Sequence, residues 1–368
     1  MLFASSLGMP ACRDAGNAAM PGRWLPRSAE SLERAERLEA ARNGTRAWEG
    51  TNYRRCTASV RGWRWAPTSC KLMSDLEPAL FFARRQPIVL VGDSLTRDMF
   101  NSIVDSVNMH PDYECGLRHV PILKGVGSLA RCRGCSGARN GSDCPPLVYL
   151  RSDLLCGHCK TELGAPLWQT HTASRPNIEL TQLDGIVTSV LGNSGGRVIL
   201  LGTGLHWGGG HIMGHYAETD VPALAAPILR AAVMRWATQA ARGGLVVWRT
   251  NFPGHPDCTK HARIEPLSEP VNPRHVLSGV QDKYHWVMLT NLEDAAVAAC
   301  RASGGHACQV LDTSYLSSFR IDAHKDNECG HWCPLQGPPE AWSILLSLLL
   351  KRNRTASQQA DLTEISVR

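Results

Sequence analysis

Residues 88–107 read IVLVGDSLTRDMFNSIVDSV and carry the strongest fold signal in the chain. The first four residues form an apolar run of strand length and largely β-branched character. Gly92-Asp93-Ser94 follows as a turn, and apolar residues then recur at helical spacing. A strand that is apolar throughout is typical of a parallel sheet with both faces covered. The stretch therefore predicts a strand, a tight turn and a helix.

The same order occurs three more times. Apolar strands are predicted at 197–203, 245–248 and 307–312, and helices after them at about 222–242, 290–302 and 338–351. Strands that alternate with amphipathic helices predict an α/β fold with a mostly parallel sheet and helices on both faces. Functional sites in such sheets lie beyond the carboxyl ends of the strands.

The overall composition excludes several classes of protein. Of 368 residues, 43% are hydrophobic and 20% are charged, which excludes a disordered, collagen-like or coiled-coil chain. The net charge of +6 comes from interspersed residues, so we expect no nucleic-acid partner. The longest apolar stretch, 345–350, is far shorter than the roughly 20 residues of a membrane span.

The chain has fourteen cysteines, which is many for a cytosolic enzyme. Three glycosylation sequons, at Asn43, Asn140 and Asn353, accompany them. Together they predict a secretory-pathway lumen or the cell exterior. The N-terminus does not resemble a signal peptide. Either a signal or membrane anchor is missing from this chain, or the predicted compartment is wrong.

Six of the cysteines fall in a stretch of about 110–180 that breaks the alternation, and we predict a disulfide-tied insertion there. Cys132-x-x-Cys135 and Cys156-x-x-Cys159 also have the spacing of a four-cysteine zinc site. Zinc at these pairs remains the minority alternative to disulfides.

Ser94 is a candidate nucleophile, because it stands where the first strand ends and a helix begins. Helix N–H groups and the helix dipole can stabilise an oxyanion at that place. The alternative is that Ser94 is only the N-cap of its helix. Near the C-terminus, Glu328 precedes His331 by three residues and could orient its ring in a Ser–acid–His order. The alternatives are a structural histidine and a solvated glutamate.

Five segments in the same order resemble the trichome birefringence-like proteins, of the PC-esterase group in the SGNH/GDSL hydrolase superfamily. They are 63–70, 89–97, 202–207, 248–255 and 311–333. The resemblance covers about 53–350, with poor matching at 110–190. It implies a three-layer α/β/α SGNH-hydrolase-like fold. We expect an N-terminal extension over 1–50, the catalytic domain over 51–352 and a polar tail over 353–368.

The resemblance also implies site residues. The family's serine maps to Ser94 and its histidine to His331. The aspartate position of its Asp-x-x-His motif holds Glu328, with Asp326 as the backup acid. An asparagine that often donates to the oxyanion is Gly202 here, so one side-chain donor is missing.

Three further residues are substrate candidates. Arg97 matches the family motif one turn after Ser94 and could hold a substrate carboxylate or steady the turn. The alternative is an ordinary surface arginine. Trp207 and Trp332 lie beside the site segments, and their rings could stack on a sugar. The alternative, which we expect for most of the eleven tryptophans, is packing in the core and between the layers.

The resemblance implies a Golgi polysaccharide O-acetyltransferase, with esterases as relatives. We expect transfer of an acyl group, through acyl-Ser94, to a hydroxyl of a polysaccharide or glycan. The acyl donor would be acetyl-CoA or an acetylated intermediate, and no metal or organic cofactor is needed. The alternatives are a carbohydrate esterase and a non-catalytic glycan-binding relative. We expect a Golgi lumen or membrane location, or secretion.

Overall fold

The structure is a computed structural model of the chain. It describes residues 12, 21–29, 32–33, 62–72, 76–82, 84–135, 144–164, 177–192, 196–240, 243–256, 258, 265–272, 282–305, 307–324, 329–333 and 337–365.

Two strands form a small antiparallel sheet and seven form the central sheet. The small sheet consists of β1 (Gly22–Pro26) and β2 (Trp63–Pro67). The strands of the central sheet are β3 (Ile88–Gly92), β4 (Glu114–Arg118), β5 (Gly127–Arg133), β6 (Leu147–Arg151), β7 (Val198–Gly202), β8 (Leu245–Arg249) and β9 (Cys308–Leu311).

Helices lie between and after these strands. They are α1 (Pro78–Phe81), α2 (Ser94–Asn108), α3 (Cys159–Glu162), α4 (Leu180–Leu191), α5 (Gly210–Met213), α6 (Val221–Ala240), α7 (Trp286–Ala302), α8 (Ser314–Ser317) and α9 (Pro338–Ile365). Within the described part of the chain, no helix is both long and apolar enough to cross a membrane.

The central sheet has the strand order β4-β5-β6-β3-β7-β8-β9. The five strands from β6 to β9 are parallel, while β5 is antiparallel to β6 and β4 to β5. β3, β7 and β8 are buried along their whole length. The predicted α/β fold, with helices around a mostly parallel sheet, is confirmed.

β3 is the first strand of the sheet in sequence and lies in its interior, between β6 and β7. The chain crosses from one side of β3 to the other, which makes the carboxyl end of β3 a topological switch point. Gly92 ends β3 opposite Arg151 and Gly202. An added Cβ at Gly92 would collide with the carbonyl oxygen of Gly202, so the tight turn before Ser94 requires glycine.

The cysteine-rich stretch is tied by disulfides and contributes to the central sheet. Its disulfides are Cys115–Cys132, Cys135–Cys144 and Cys156–Cys159. The zinc alternative at Cys132, Cys135, Cys156 and Cys159 is therefore wrong for this structure, because a disulfide sulfur is not a thiolate ligand. β4, β5 and β6 all lie in this stretch, so it extends the sheet rather than forming a separate insertion.

Both ends of the domain pack onto one another. β1, in the predicted N-terminal extension, pairs with β2, and Trp24 Nε1 donates to the carbonyl oxygen of Leu316 at 2.8 Å. Arg27, just after β1, forms a buried 2.9 Å ion pair with Glu340 at the start of α9. α9 continues to Ile365, past its predicted end at 351 and into the predicted tail.

Candidate active site

Ser94 is the first residue of α2, directly after the carboxyl end of β3. The N-cap is Asp93, whose Oδ1 accepts the N–H groups of Leu95 at 3.0 Å and Thr96 at 3.4 Å. The alternative that Ser94 is the N-cap is therefore wrong. The hydroxyl of Ser94 is left available for another partner.

That partner is His331. Its Nε2 lies 2.6 Å from the Ser94 Oγ, although the two residues are 237 positions apart in sequence. Ser94 is 6% exposed, so this contact is largely shielded from solvent. A hydroxyl within hydrogen-bond reach of an imidazole is the arrangement in which histidine can take the serine proton.

The helix start also supplies a backbone donor. The N–H of Arg97 bonds to the carbonyl oxygen of Asp93, and those of Leu95 and Thr96 bond to its side chain. The N–H of Ser94 has no acceptor among the described residues. A helix N-terminal N–H at this place can stabilise negative charge that develops next to the serine.

Disulfides hold the segment that carries His331. Cys329 pairs with Cys258, and Cys333 is also disulfide-bonded. Cys329 and Cys333 therefore do not pair with each other. The candidate acids Glu328 and Asp326 lie outside the described residues, so the partner that would orient the His331 ring stays a prediction.

Gly202 holds the turn through its carbonyl group. Its oxygen accepts the hydroxyl of Thr96 at 2.9 Å and the N–H of Asp93 at 3.4 Å. A Cβ added at Gly202 would lie 2.8 Å from Nε and 2.9 Å from Nη2 of Arg249. The guanidinium thus occupies the space that a side chain at position 202 would need, so any larger residue there requires Arg249 or β7 to shift.

Arg249 was not predicted as part of the site. It ends β8, is fully buried, and its Nη2 lies 3.9 Å from Oδ1 of Asp93. Burial raises the pKa of Asp93 to about 6, and the charge of Arg249 opposes that rise. An arginine at the end of a buried strand was the available sequence signal, because such a charge needs a nearby acid.

Arg97 lies on α2 one turn after Ser94 and is partly exposed. Burial raises the pKa of the Tyr149 hydroxyl, and the nearby charge of Arg97 opposes that rise. The same hydroxyl donates to the carbonyl oxygen of Asp93 at 3.2 Å. Arg97 therefore lies beside the turn that presents Ser94. A contact between Arg97 and substrate stays a prediction.

The two tryptophans predicted to stack on sugars are both 0% exposed. Trp332 stacks on His324, with ring centres 3.9 Å apart, and packs edge-on against Phe252 at 4.6 Å. Trp207 is part of the hydrophobic core. The stacking prediction is wrong for Trp207 and Trp332 in this structure, because neither presents a ring face to solvent.

A further polar cluster, not predicted from sequence, follows β6 and β7. Asp153 is buried and accepts Arg151 Nη2 and Asn177 Nδ2, each at 2.8 Å. His206 Nε2 lies 3.6 Å from Oδ2 of the same carboxylate. Thr203 Oγ1 donates to the Asp153 carbonyl oxygen, which joins the ends of the two strands that flank β3. The signal was polar residues directly after the apolar run 147–150.

Comparison with known proteins gives a distant relationship. No protein-family model matches the chain. A protein of Arabidopsis thaliana named "Protein trichome birefringence-like 14" is 24% identical over 330 residues, which cover 78% of this chain and 75% of that protein. This similarity agrees with the resemblance seen in the segments around Ser94 and His331.

Proposed function

We propose that the chain is a serine-dependent O-acyltransferase that moves an acetyl group to a hydroxyl of a polysaccharide or glycan. The observation that carries the proposal is the 2.6 Å hydrogen bond between Ser94 Oγ and His331 Nε2 at the switch point of the sheet. The distant similarity to a trichome birefringence-like protein supports the same kind of chemistry.

In the first half of the reaction, Ser94 Oγ attacks the carbonyl carbon of the acyl donor while His331 Nε2 takes the hydroxyl proton. The carbonyl oxygen becomes an oxyanion, to which the N–H of Ser94 can donate. The bond to the leaving group breaks, the leaving group receives the proton from His331, and acetyl-Ser94 remains. The acyl donor is acetyl-CoA or an acetylated intermediate.

In the second half, a sugar hydroxyl attacks the acetyl carbon and gives its proton to His331. The ester bond to Ser94 breaks, and the serine oxygen takes that proton back. Glu328, with Asp326 as the backup, would orient the imidazole through its other nitrogen. If water replaces the sugar hydroxyl, the same residues make the protein a carbohydrate esterase.

The disulfides fit a secretory-pathway lumen, since such bonds persist in oxidising compartments. Within that pathway we propose the Golgi, lumen or membrane, as the place of action, with secretion as the alternative. The proposed partners are the glycan acceptor and the acyl donor.

The test is the release of p-nitrophenol from p-nitrophenyl acetate, followed with and without an oligosaccharide acceptor. Wild type should release a burst of one equivalent of p-nitrophenol per protein molecule. An oligosaccharide that speeds the turnover after the burst would identify a transferase. Ser94→Ala should abolish the burst. The matched control is Ser102→Ala, because Ser102 is buried on the same helix and its hydroxyl has no partner among the described residues.

Three results would separate the alternatives. Turnover that no acceptor accelerates favours the esterase. A folded wild-type protein without a burst, which nevertheless retains glycan in a binding assay, favours the non-catalytic relative. A burst of equal size in Ser94→Ala contradicts the proposal.

A further inference from the structure

An arginine held by a buried acid lies beside the turn that presents Ser94. Arg151 ends β6 in register with Gly92, which ends β3. Its Nε donates to Oδ1 of Asp153 at 3.0 Å, and its Nη2 donates to Oδ2 at 2.8 Å. The Asp153 side chain is 1% exposed, whereas that of Arg151 is 14% exposed. A buried carboxylate thus fixes the orientation of an arginine that solvent can reach.

This pairing leaves part of the guanidinium of Arg151 available to a ligand. Nε and Nη2 lie on the side that meets Asp153, while Nη1 has no partner among the described residues. An arginine has five N–H donors, so Nη1 and the second hydrogen of Nη2 form a fork. Such a fork matches the two oxygens of a carboxylate. Arg151 can therefore bind a carboxylate next to the serine.

Arg97 supplies a second cation near the same turn. It is partly exposed on α2 and forms no ion pair with a described residue. Burial raises the pKa of the Tyr149 hydroxyl, and the charges of Arg97 and Arg151 both oppose that rise. The Tyr149 hydroxyl donates to the carbonyl oxygen of Asp93 at 3.2 Å. Both arginines therefore lie close to the backbone that precedes Ser94.

The positive charge continues away from Ser94 along the neighbouring loop. Residues 115–142 contain five lysines and arginines and no aspartate or glutamate. Two of them, Arg118 and Lys124, are exposed and form no ion pair with a described residue. The loop reaches the site because the N–H of Arg151 donates to the carbonyl oxygen of Val126 at 2.7 Å. Arg118 ends β4, which is two strand spacings, or about 10 Å, from β6.

We propose that the acceptor is an acidic glycan and that Arg151 and Arg97 bind the carboxylate of a uronic acid beside Ser94. Lys124 and Arg118 attract acidic sugars further along the same glycan. Several cations in one region favour a polyanion over a neutral chain, because they raise its local concentration and steer it to the site. A fixed carboxylate also orients the sugar hydroxyl that attacks acetyl-Ser94. This inference rests on the proposed function, because it names the acceptor class for the same site.

Two acceptors that differ in charge alone test the proposal. One is a tetramer of uronic acids, and the other is the same tetramer with each carboxylate reduced to a primary alcohol. The donor is p-nitrophenyl acetate, which is neutral. In wild type, the acidic tetramer should half-saturate turnover at a concentration about 10- to 100-fold lower than the neutral one, since hydrogen bonds to a charged group contribute about that factor. Arg151→Gln and Arg97→Gln should each lower this ratio about tenfold.

Arg301→Gln is the matched control. Arg301 is exposed on the last turn of α7, before the amino end of β9, and forms no ion pair with a described residue. Its ratio should equal that of wild type. Thermal unfolding shows which variants are folded, and Arg97→Gln decides the question if the loss of the Asp153 partner unfolds Arg151→Gln. Equal half-saturating concentrations of the two tetramers in wild type would overturn the proposal.

Two further measurements separate this proposal from its alternatives. If both arginine variants weaken the use of acetyl-CoA and leave the acceptor ratio unchanged, the arginines hold donor phosphates and the proposal is overturned. Calorimetry measures binding of the two tetramers without any reaction. A wild type that prefers the acidic tetramer but does not acetylate Ser94 contradicts the proposed function alone. A wild type that acetylates Ser94 and binds both tetramers equally overturns the acidic acceptor alone.

Discussion

Replacing Gly202 with alanine should lower the free energy of unfolding by about 1–3 kcal/mol, because the methyl group overpacks a buried site. The new carbon would lie 2.8 Å from Nε of Arg249, whereas ordinary heavy-atom contacts begin at about 3.5 Å. The guanidinium cannot move into solvent, since it is fully buried and lies 5.1 Å from the ring centre of Trp342. Either Arg249 or β7 must therefore shift by several tenths of an ångström.

Denaturant unfolding measures this loss, with Gly116→Ala as the matched control. Gly116 lies within β4, where an added Cβ meets nothing within 4 Å, so its change should stay within about 0.5 kcal/mol. Gly202→Asn should destabilise at least as much as alanine and should not speed the acetylation of Ser94. If Gly202→Ala unfolds like Gly116→Ala, Arg249 does not exclude a side chain at position 202.

Three further perturbations test other parts of the structure. Changing Cys258 and Cys329 together to serine opens a disulfide with a sequence separation of 71, which should lower stability by about 4 kcal/mol in denaturant unfolding; an unchanged midpoint would contradict this. Glu340→Ala removes the buried 2.9 Å ion pair with Arg27 and should lower the free energy of unfolding by about 3–5 kcal/mol in the same measurement, and a loss below 1 kcal/mol would count against it. Burial raises the pKa of Glu293 from 4.5 to about 8, so between these pH values the folded protein keeps a proton that the unfolded chain has lost. The free energy of unfolding therefore falls as pH rises from 4.5 to 8. Glu293→Gln should therefore gain stability relative to wild type between pH 4.5 and 8, and a difference that does not vary with pH would contradict the assignment.

The strands and helices with strong periodicity could be predicted from the sequence. The apolar run before Ser94 and the helical spacing after it correspond to β3 and α2. β7, β8 and β9 likewise fall within a residue or two of the predicted runs. The strands are buried on both faces and the helices along one stripe. Their residues therefore follow a hydrophobic pattern that matches the strand or helix period.

β6 could not be predicted with the same ease, although it is the neighbour of β3. Its five residues stand among cysteines and loops, and the first helix after it in the described part of the chain, α3, has only four residues. Strand pairing depends on residues far apart in sequence, and a short apolar run does not indicate which strand it pairs with.

For the site, residue type and place along the chain indicated Ser94 and His331, while their contact depends on the topology. The N-cap shows the limit of local reasoning, because Asp93 and Ser94 both favour that position. Only the three-dimensional arrangement shows that Asp93 takes it. The space beside Gly202 is filled by Arg249 from another strand, and the rings of Trp207 and Trp332 are enclosed by the core. Both facts follow from tertiary packing rather than from local pattern.

The central claim is that Ser94 carries the acyl group during the reaction. Peptide mapping by mass spectrometry, after brief incubation with an activated acetyl ester, tests it most directly. We expect one acetyl group on the peptide that contains Ser94, and none on that peptide in Ser94→Ala. A folded wild-type protein without this adduct, or an adduct that persists at the same site in Ser94→Ala, would contradict it.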